Sequence, residues 1–225
     1  MKLFLSFAAV SALAAIPSQA ALLALYDING TTYGAAAAPS DVNPALTATS
    51  IISDTTGSGP GNFAVSNSSN TAFLQYSQAA GNLADAITGQ DYLQVSITVP
   101  AGSTASFSSL DLTFRTDTAG VNSSLALFVS TDGFATAPVA GDVVDTGTTN
   151  VVTASTKSFD LTGIPAYQDI DTPTTLTFRI YGYDDSNAGA YTRVESFTIN
   201  GVAVPEPAAL LMGLAALPLM LRRRR

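Results

Sequence analysis

The sequence predicts an all-β domain, an antiparallel β-sandwich in which a jelly roll is the favoured arrangement. Two observations carry this prediction. Apolar and polar side chains alternate over several short stretches, which is the period of a half-buried strand. Gly, Pro, Asn and Asp separate these stretches at short intervals, as in sandwiches with many turns. No convincing amphipathic helix is found between the strands.

The alternation is clearest between Asp91 and Gly201. Strands are predicted there over residues 93–99, 110–115, 125–129, 157–161, 176–181 and 194–199. Turn sequences end three of them, and these are Pro100-Ala101-Gly102, Ser130-Thr131-Asp132-Gly133 and Asn200-Gly201.

The part of the chain before Asp91 carries weaker signals. A first strand is predicted over residues 22–28, and short strands over 48–52 and 72–76. The polar and small-residue stretches 35–38, 53–62 and 66–70 are predicted to be loops.

The N-terminal 20 residues have the three parts of a secretory signal peptide. Lys2 supplies the positive charge, residues 3–16 form an apolar core, and Ser18-Gln19-Ala20 is a small-x-small cleavage sequence. We expect signal peptidase to cut after Ala20 and the chain to be exported. The sandwich ectodomain is therefore assigned to residues 21–203, with 91–201 the best defined part.

The C-terminal segment, residues 204–225, also has three parts. Pro205-Glu206-Pro207 lacks two backbone donors and should be stiff and extended. The apolar stretch from Ala208 to Leu221 is about 14 residues long, roughly 21 Å as a helix against a hydrocarbon core of ~30 Å. The basic end, expected on the cytoplasmic side, consists of Arg222, Arg223, Arg224 and Arg225. A segment this short favours removal over permanent anchoring.

This segment resembles the PEP-CTERM sorting signal of Gram-negative bacteria. The resemblance implies that Pro205, Glu206 and Pro207 are recognised by exosortase, a membrane protease of bacteria that make exopolysaccharide. It also implies a transient stay in the inner membrane and a final place at the cell surface or outside the cell, in a biofilm matrix. An ordinary C-terminal anchor with an incidental Pro-Glu-Pro is the alternative.

The ectodomain resembles the jelly-roll-like domains found upstream of such tails. The similar segments are residues 110–115, 125–134, 178–183 and 193–201. The last strand of those domains often carries an Asp-Asn pair where this chain has Glu195-Ser196. The resemblance therefore implies the fold and leaves the function open.

Charge excludes one class of partner. Between Ala21 and Val204 there are four basic and sixteen acidic residues, a net charge of −12. Such a chain repels nucleic acid and anionic lipid, so nucleic-acid binding is excluded. The chain has no cysteine, and the exported domain must be stable without disulfides.

The missing residue types also exclude several enzymes. Without His or Cys there is no Ser-His-Asp triad, cysteine nucleophile or imidazole zinc site. Carboxylate chemistry remains, chiefly glycoside hydrolysis. Arg193 and Glu195 fall on one face of the last strand, where they form a solvent-facing charged pair, or where Glu195 is a partner for Arg115 or Arg179. We assign no catalytic residues.

Two acidic segments are candidates for Ca²⁺ ligands. Asp184-Asp185-Ser186-Asn187 follows a strand, and Asp169-Ile170-Asp171 places two carboxylates on one side of an extended segment. Ca²⁺ needs six to eight oxygens, so either segment could contribute. Solvated turns explain the same residues, and no cofactor is otherwise predicted.

Tyrosines near one strand end suggest a sugar-binding surface. Tyr181, Tyr183 and Tyr191 would stack on pyranose rings if exposed, although tyrosine is also a common strand residue that covers sheet edges. The chain has no tryptophan, which is the better stacking platform.

Three functions follow from these observations. The first is a noncatalytic surface or matrix protein, delivered by its sorting signal and associated with exopolysaccharide. The second is a carbohydrate-binding module, with Tyr181 and Tyr183 in the binding surface. The third, a glycoside hydrolase or lyase, is the least supported. We favour the first.

Overall fold

A computed structural model describes the strands and most connections of the ectodomain. The described residues are 21–28, 38–53, 64–68, 71–77, 82–90, 92–116, 123–149, 153–183 and 191–205. In chain order the elements are β1 (Ala21–Asp27), β2 (Asp41–Val42), β3 (Thr47–Ala48), β4 (Ile52–Ser53), β5 (Ala64–Ser68), β6 (Thr71–Ser77), α1 (Leu83–Gly89), β7 (Tyr92–Val99), β8 (Ser103–Thr116), β9 (Ser123–Ser130), β10 (Asp145–Thr149), β11 (Ser155–Asp160), β12 (Thr174–Tyr183) and β13 (Tyr191–Pro205).

The strands form two antiparallel sheets, which confirms the predicted β-sandwich. The first sheet has the order β11-β8-β13-β1-β2, with β6 also paired to β13 and β5 to β6. The second has the order β10-β9-β12-β7-β3, with β4 also paired to β7. From β7 to β13 the chain changes sheet at every connection except β9 to β10, which is the winding of a jelly roll.

The alternating apolar residues of the two sheets meet in one core. Leu93, Val95, Ile97 and Val99 of β7 are buried, and the residues between them are half-buried on the outer face. Across the core, Phe107 of β8 packs against Phe178 of β12 with ring centroids 6.0 Å apart. The period-two prediction for these strands is therefore confirmed.

Several strands are longer than predicted because backbone pairing extends beyond the apolar residues. β8 begins at Ser103, directly after the turn at Gly102 (φ +78°), because its backbone pairs with β13 from this residue onward and its side chains at Ala105 and Phe107 are buried. β5 is a strand where residues 66–70 were predicted to be a loop, and it pairs with β6 along its whole length.

The prediction that Asn200-Gly201 ends the last strand is wrong. β13 continues to Pro205, and the register with β8 shifts between Asn200 and Gly201. This shift is a β-bulge, which accommodates a turn-like dipeptide without ending the strand.

The helix α1 was missed because it is only seven residues long. Asn82 caps it by accepting a hydrogen bond from the backbone N–H of Asp85 (3.0 Å), and Gln90 ends it in the left-handed conformation (φ +58°). Ala86 is its one buried residue, and too few turns exist to give a 3.6-residue apolar period.

Tyr26 ties β1 to the loop before β4. Its ring is fully buried against Phe197, and its hydroxyl donates to the carbonyl oxygen of Thr49 at 2.7 Å. Burial raises the pKa of this hydroxyl far above its usual range. The neutral form is therefore favoured by folding.

We expect stability to fall at high pH partly through Tyr26. A raised folded-state pKa contributes stability that is complete below the unfolded value of about 10 and is lost as pH rises through the folded value. Tyr26→Phe should lose about 1–2 kcal/mol at pH 7, because the Thr49 carbonyl loses its donor. Between pH 9 and 11, the free energy of unfolding of Tyr26→Phe, measured with urea, should fall less than that of the wild type. An equal loss in both proteins would contradict this role.

Candidate functional site

The outer face of the second sheet has an aromatic half and a hydroxyl half. α1 covers the aromatic half, where Ala86, Ala126, Phe128 and Tyr181 form a small second core. In the other half, Ser96 hydrogen-bonds Thr177 (3.0 Å) and Thr98 hydrogen-bonds Thr175 (2.8 Å) across β7 and β12. Arg179 lies between the two halves, opposite Gln94 and Phe128.

The predicted exposure of Tyr181 for sugar stacking is wrong. Tyr181 is 1% exposed, because its ring packs edge-on against Phe128 (5.3 Å) and Tyr92 (5.4 Å). Tyr183 is half-buried beside the same cluster, and Tyr191 begins β13. Tyr181 therefore stabilises the cover formed by α1.

A cleft of about 330 Å³ opens where β9 ends. Three aromatic rings, two carboxylates and several hydroxyls line it. The lining residues are Phe128, Val129, Ser130, Thr131, Asp132, Phe134, Thr136, Ala137, Pro138, Asp142, Ala166 and Tyr167.

The turn after β9 places the first carboxylate and one ring. The carboxylate of Asp132 accepts a hydrogen bond from the Ser130 hydroxyl and another from the backbone N–H of Phe134 (2.9 Å). Gly133 (φ +71°) and Phe134 (φ +60°) both have the left-handed backbone conformation. This conformation is strained for Phe134, because it carries a bulky side chain. The backbone turn thus holds the Phe134 ring half-exposed at the cleft.

Hydrogen bonds keep the Asp132 carboxylate ionised. The hydrogen bond from the Ser130 hydroxyl is the largest cause, and with the backbone amides of the turn it holds the pKa of Asp132 below its usual range, although desolvation opposes this shift. The side chain is exposed, so its charge is available at the mouth of the cleft.

The second carboxylate and ring come from two 3₁₀ turns. Asp142 lies in the turn Ala140–Asp142 and accepts from the Val139 backbone N–H at 3.1 Å. Tyr167 lies in the turn Pro165–Tyr167, is 8% exposed, and donates its hydroxyl to the Val129 carbonyl at 3.3 Å. Both groups are anchored before any ligand arrives.

Arg179 is held beside this cleft by two rings and an amide. Its Cζ atom lies 4.1 Å from the Tyr92 ring centroid and 4.3 Å from that of Phe134. Its Nε atom donates to Gln94 Oε1 at 2.7 Å. Phe134 is therefore shared by the cleft and the guanidinium.

The charged pair of the last strand is structural. The register between β13 and β8 shifts between Val194 and Ser196, and Glu195 Oε1 lies 2.8 Å from Arg115 Nε. Of the alternatives predicted for Glu195, pairing with Arg115 is the one observed. Both side chains are partly exposed, so the pair contributes little to stability.

Asp169, one of the candidate calcium ligands, holds its segment against β8. Asp169 (φ +50°) accepts a hydrogen bond from the Ser106 hydroxyl at 3.1 Å, and Ile170 bridges to Ala105. Over the described ranges, no group of three or more acidic side chains is placed to hold a metal ion. Residues 184–187 lie outside the described residues.

The predicted processing signals fall almost wholly outside the described chain. Pro205 is the last described residue, and it pairs with Ser103 at the end of β13. The predicted signal peptide through Ala20 and the residues from Glu206 to Arg225 lie outside the described residues. Among the described residues between 21 and 205, no helix is long and apolar enough to cross a membrane.

No protein-family model and no curated protein matches this chain. Solved structures similar to it include a family 35 carbohydrate-binding module from an environmental isolate, with 11% identity over 80% of this chain and 96% of that one and a TM-score of 0.39. Another is the CBM22-1 xylan-binding domain from Paenibacillus barcinonensis, with 13% identity over 81% and 96% and a TM-score of 0.38. A third is a CBM36-1 domain of a xylanase from the hindgut metagenome of Trinervitermes trinervoides, with 12% identity over 70% and 100% and a TM-score of 0.37. Similarity at this level does not decide function, which must be argued from the side chains of this chain.

None of the cleft residues was singled out from the sequence as a binding residue. The stretch Ser130-Thr131-Asp132-Gly133 signals a turn, but nothing in it shows that the next ring folds back over Arg179. Asp142 and Tyr167 are distant in sequence and meet the turn only in the folded chain.

Proposed function

We propose that this chain is an exported, noncatalytic protein of the cell surface or extracellular matrix, and that its sandwich binds a glycan in the cleft at the end of β9. Signal peptidase and exosortase would process its two ends, with a transient stay in the inner membrane. Exopolysaccharide of the producing bacterium would be its partner. The cleft, with its anchored carboxylates and rings, is the observation that carries the binding.

The chemistry of the cleft suits a neutral sugar. Asp132 and Asp142 present carboxylate oxygens, which accept hydrogen bonds from sugar hydroxyls. Phe134 offers a half-exposed ring for the apolar face of a pyranose. The volume lies at the lower end of the range for small-ligand pockets, about 300–1,000 Å³, so the cleft fits one sugar unit.

The state of Asp132 argues against hydrolysis of a bound glycan. A glycosidase needs a general acid with a raised pKa. The turn lowers the pKa of Asp132 instead, so this residue accepts hydrogen bonds and does not deliver a proton at neutral pH. Binding without turnover is the function that these groups support best.

Replacing Asp132 by Asn should weaken glycan binding about tenfold. Asn keeps the side-chain oxygen that holds the turn, but it removes the charge from hydrogen bonds worth roughly 1.5–3 kcal/mol. Affinity electrophoresis in gels that contain exopolysaccharide purified from the producing bacterium measures the effect.

Asp160→Asn is the matched control. Asp160 is exposed, accepts from the N–H and hydroxyl of Thr162, and also has a lowered pKa, but it does not line the cleft. It should migrate like the wild type. Equal retardation of both variants and the wild type would reject the cleft as the glycan-binding site. If none of the three proteins is retarded, a purely structural surface protein is favoured.

A further inference from the structure

The guanidinium of Arg179 has an unused pair of donors. Its one hydrogen bond within the described chain goes from Nε to Gln94, which leaves the two terminal nitrogens without a protein acceptor there. Contacts with Tyr92 and Phe134 restrict the plane of the group. The terminal nitrogens of a fixed guanidinium match the two oxygens of a carboxylate.

The charge balance makes this arrangement unusual. Acidic residues outnumber basic ones almost two to one in the full chain, so an arginine finds an acidic partner easily. Arg115 pairs with Glu195 and Lys157 pairs with Asp145, at 2.8 and 3.0 Å. No described carboxylate lies within ion-pair distance of Arg179. An amide and two rings hold the guanidinium in place and do not neutralise it.

The surroundings of Arg179 fit a sugar better than a simple ion. The Ser96 and Thr177 hydroxyls lie in the neighbouring row of the sheet, with side chains on the same outer face. On the other side, Phe134 separates the guanidinium from the cleft. A sugar at Arg179 and a sugar in the cleft would thus be neighbours along one chain.

We infer that Arg179 forms a second subsite that binds the carboxylate of an acidic sugar, next to the neutral-sugar cleft. This inference rests on the proposed glycan binding and adds the class of glycan, a polymer containing uronic acid units. The carboxylate takes two hydrogen bonds from the terminal guanidinium nitrogens. The strong negative charge of the chain repels polyanions elsewhere, so selectivity for the acid depends on this one contact.

Trigalacturonic acid and its methyl ester make a matched pair of probes, since they differ in charge and not in the sugar chain. Isothermal titration calorimetry of the mature protein at physiological ionic strength should show about tenfold tighter binding of the acid. Arg179→Gln should remove this preference. Lys157→Gln, which changes the net charge equally but lies on the edge strand β11 of the first sheet, should keep it.

Arg179→Lys guards against a loss of folding in the glutamine variant, which thermal unfolding would reveal. Lysine keeps a cation near the two rings but lacks the two terminal nitrogens that pair with both oxygens of a carboxylate. The preference for the acid should therefore fall by about threefold or more. Equal affinity of the wild type for acid and ester, no binding of the acid, or an unchanged preference in Arg179→Lys would each overturn the subsite.

The two proposals fail separately. If the cleft is wrong, Asp132→Asn binds exopolysaccharide like the wild type, while the ratio of acid to ester affinity still depends on Arg179. If the subsite is wrong, that ratio is one in the wild type, while Asp132→Asn still weakens binding.

Discussion

Gly201→Ala should destabilise the sandwich by about 3 kcal/mol or more, the largest effect we expect of any glycine substitution among the described residues. A Cβ atom on Gly201 would lie 2.1 Å from the carbonyl oxygen of Ser106 and 2.8 Å from Leu23 Cδ1. The distance to the Ser106 oxygen is far below a normal van der Waals contact, and this oxygen belongs to the backbone.

The position of Gly201 explains why the clash cannot relax cheaply. β13 and β8 are neighbours inside the first sheet, and the bulge at Asn200 and Gly201 brings their backbones close together. β1 pairs with Gly201 from the other side through Ala21. A shift of the Ser106 carbonyl would therefore disturb two ladders at once.

Gly163→Ala is the control for this prediction. No heavy atom lies within 4 Å of a Cβ at Gly163, so this variant should change stability by less than about 0.5 kcal/mol. Urea unfolding should show a midpoint shift only for Gly201→Ala, and a fall in Tm of roughly 10 °C is expected for a domain of this size. Equal stability of the two variants would contradict the close packing of the two backbones at the bulge.

Glu206→Ala should leave full-length precursor in the inner membrane. The resemblance of the tail to a PEP-CTERM signal implies that Glu206 is a recognition residue for exosortase, and the substitution leaves the apolar stretch from Ala208 to Leu221 unchanged. Without cleavage, the tail and its terminal arginines should remain attached. Membrane fractionation and intact mass of the chain from its native host measure this outcome.

Val204→Ala is the matched control for the sorting signal. Val204 precedes the motif directly and is 49% exposed, so its substitution should leave the fold and processing unchanged. Because β13 extends to Pro205, which pairs with Ser103, the motif begins at the last residue of this strand. Normal processing of Glu206→Ala, or a native chain that still ends in Arg225, would reject the sorting function.

The proposed site combines a loop with a sheet face. The turn at Asp132 and Gly133 supplies a carboxylate and the Phe134 ring, and β12 supplies Arg179. Loops carry specificity best when a rigid scaffold positions them, and here the scaffold contributes a ligand group of its own. Changes at Phe134 should therefore affect both subsites.

The strands of the sandwich could be predicted from the sequence because one face of each is buried. In β7, a buried position follows each half-buried one, and this period is visible without any knowledge of neighbours. In β12 the apolar residues alternate in the sequence, but Thr177 and Tyr181 of the outer face are buried as well. The pairing of Glu195 with Arg115 was among the predicted alternatives, since both residues alternate to the outer side of their strands.

The missed elements depend on contacts that have no local pattern. β5 is polar, and it is a strand because β6 pairs with its backbone. Asn200-Gly201 has the composition of a turn, yet pairing on both sides of β13 continues the strand through it.

The sequence by itself determined that this chain is an antiparallel sandwich with few cations and no histidine or cysteine chemistry. Only the tertiary structure decided which groups on the outer face of the second sheet are available to a ligand. Alternation shows that Tyr181 and Arg179 point away from the core, but not that α1 covers the tyrosine while Phe134 and Tyr92 hold the arginine. Those covering groups come from other segments of the chain, so their effect on exposure arises only when the chain is folded.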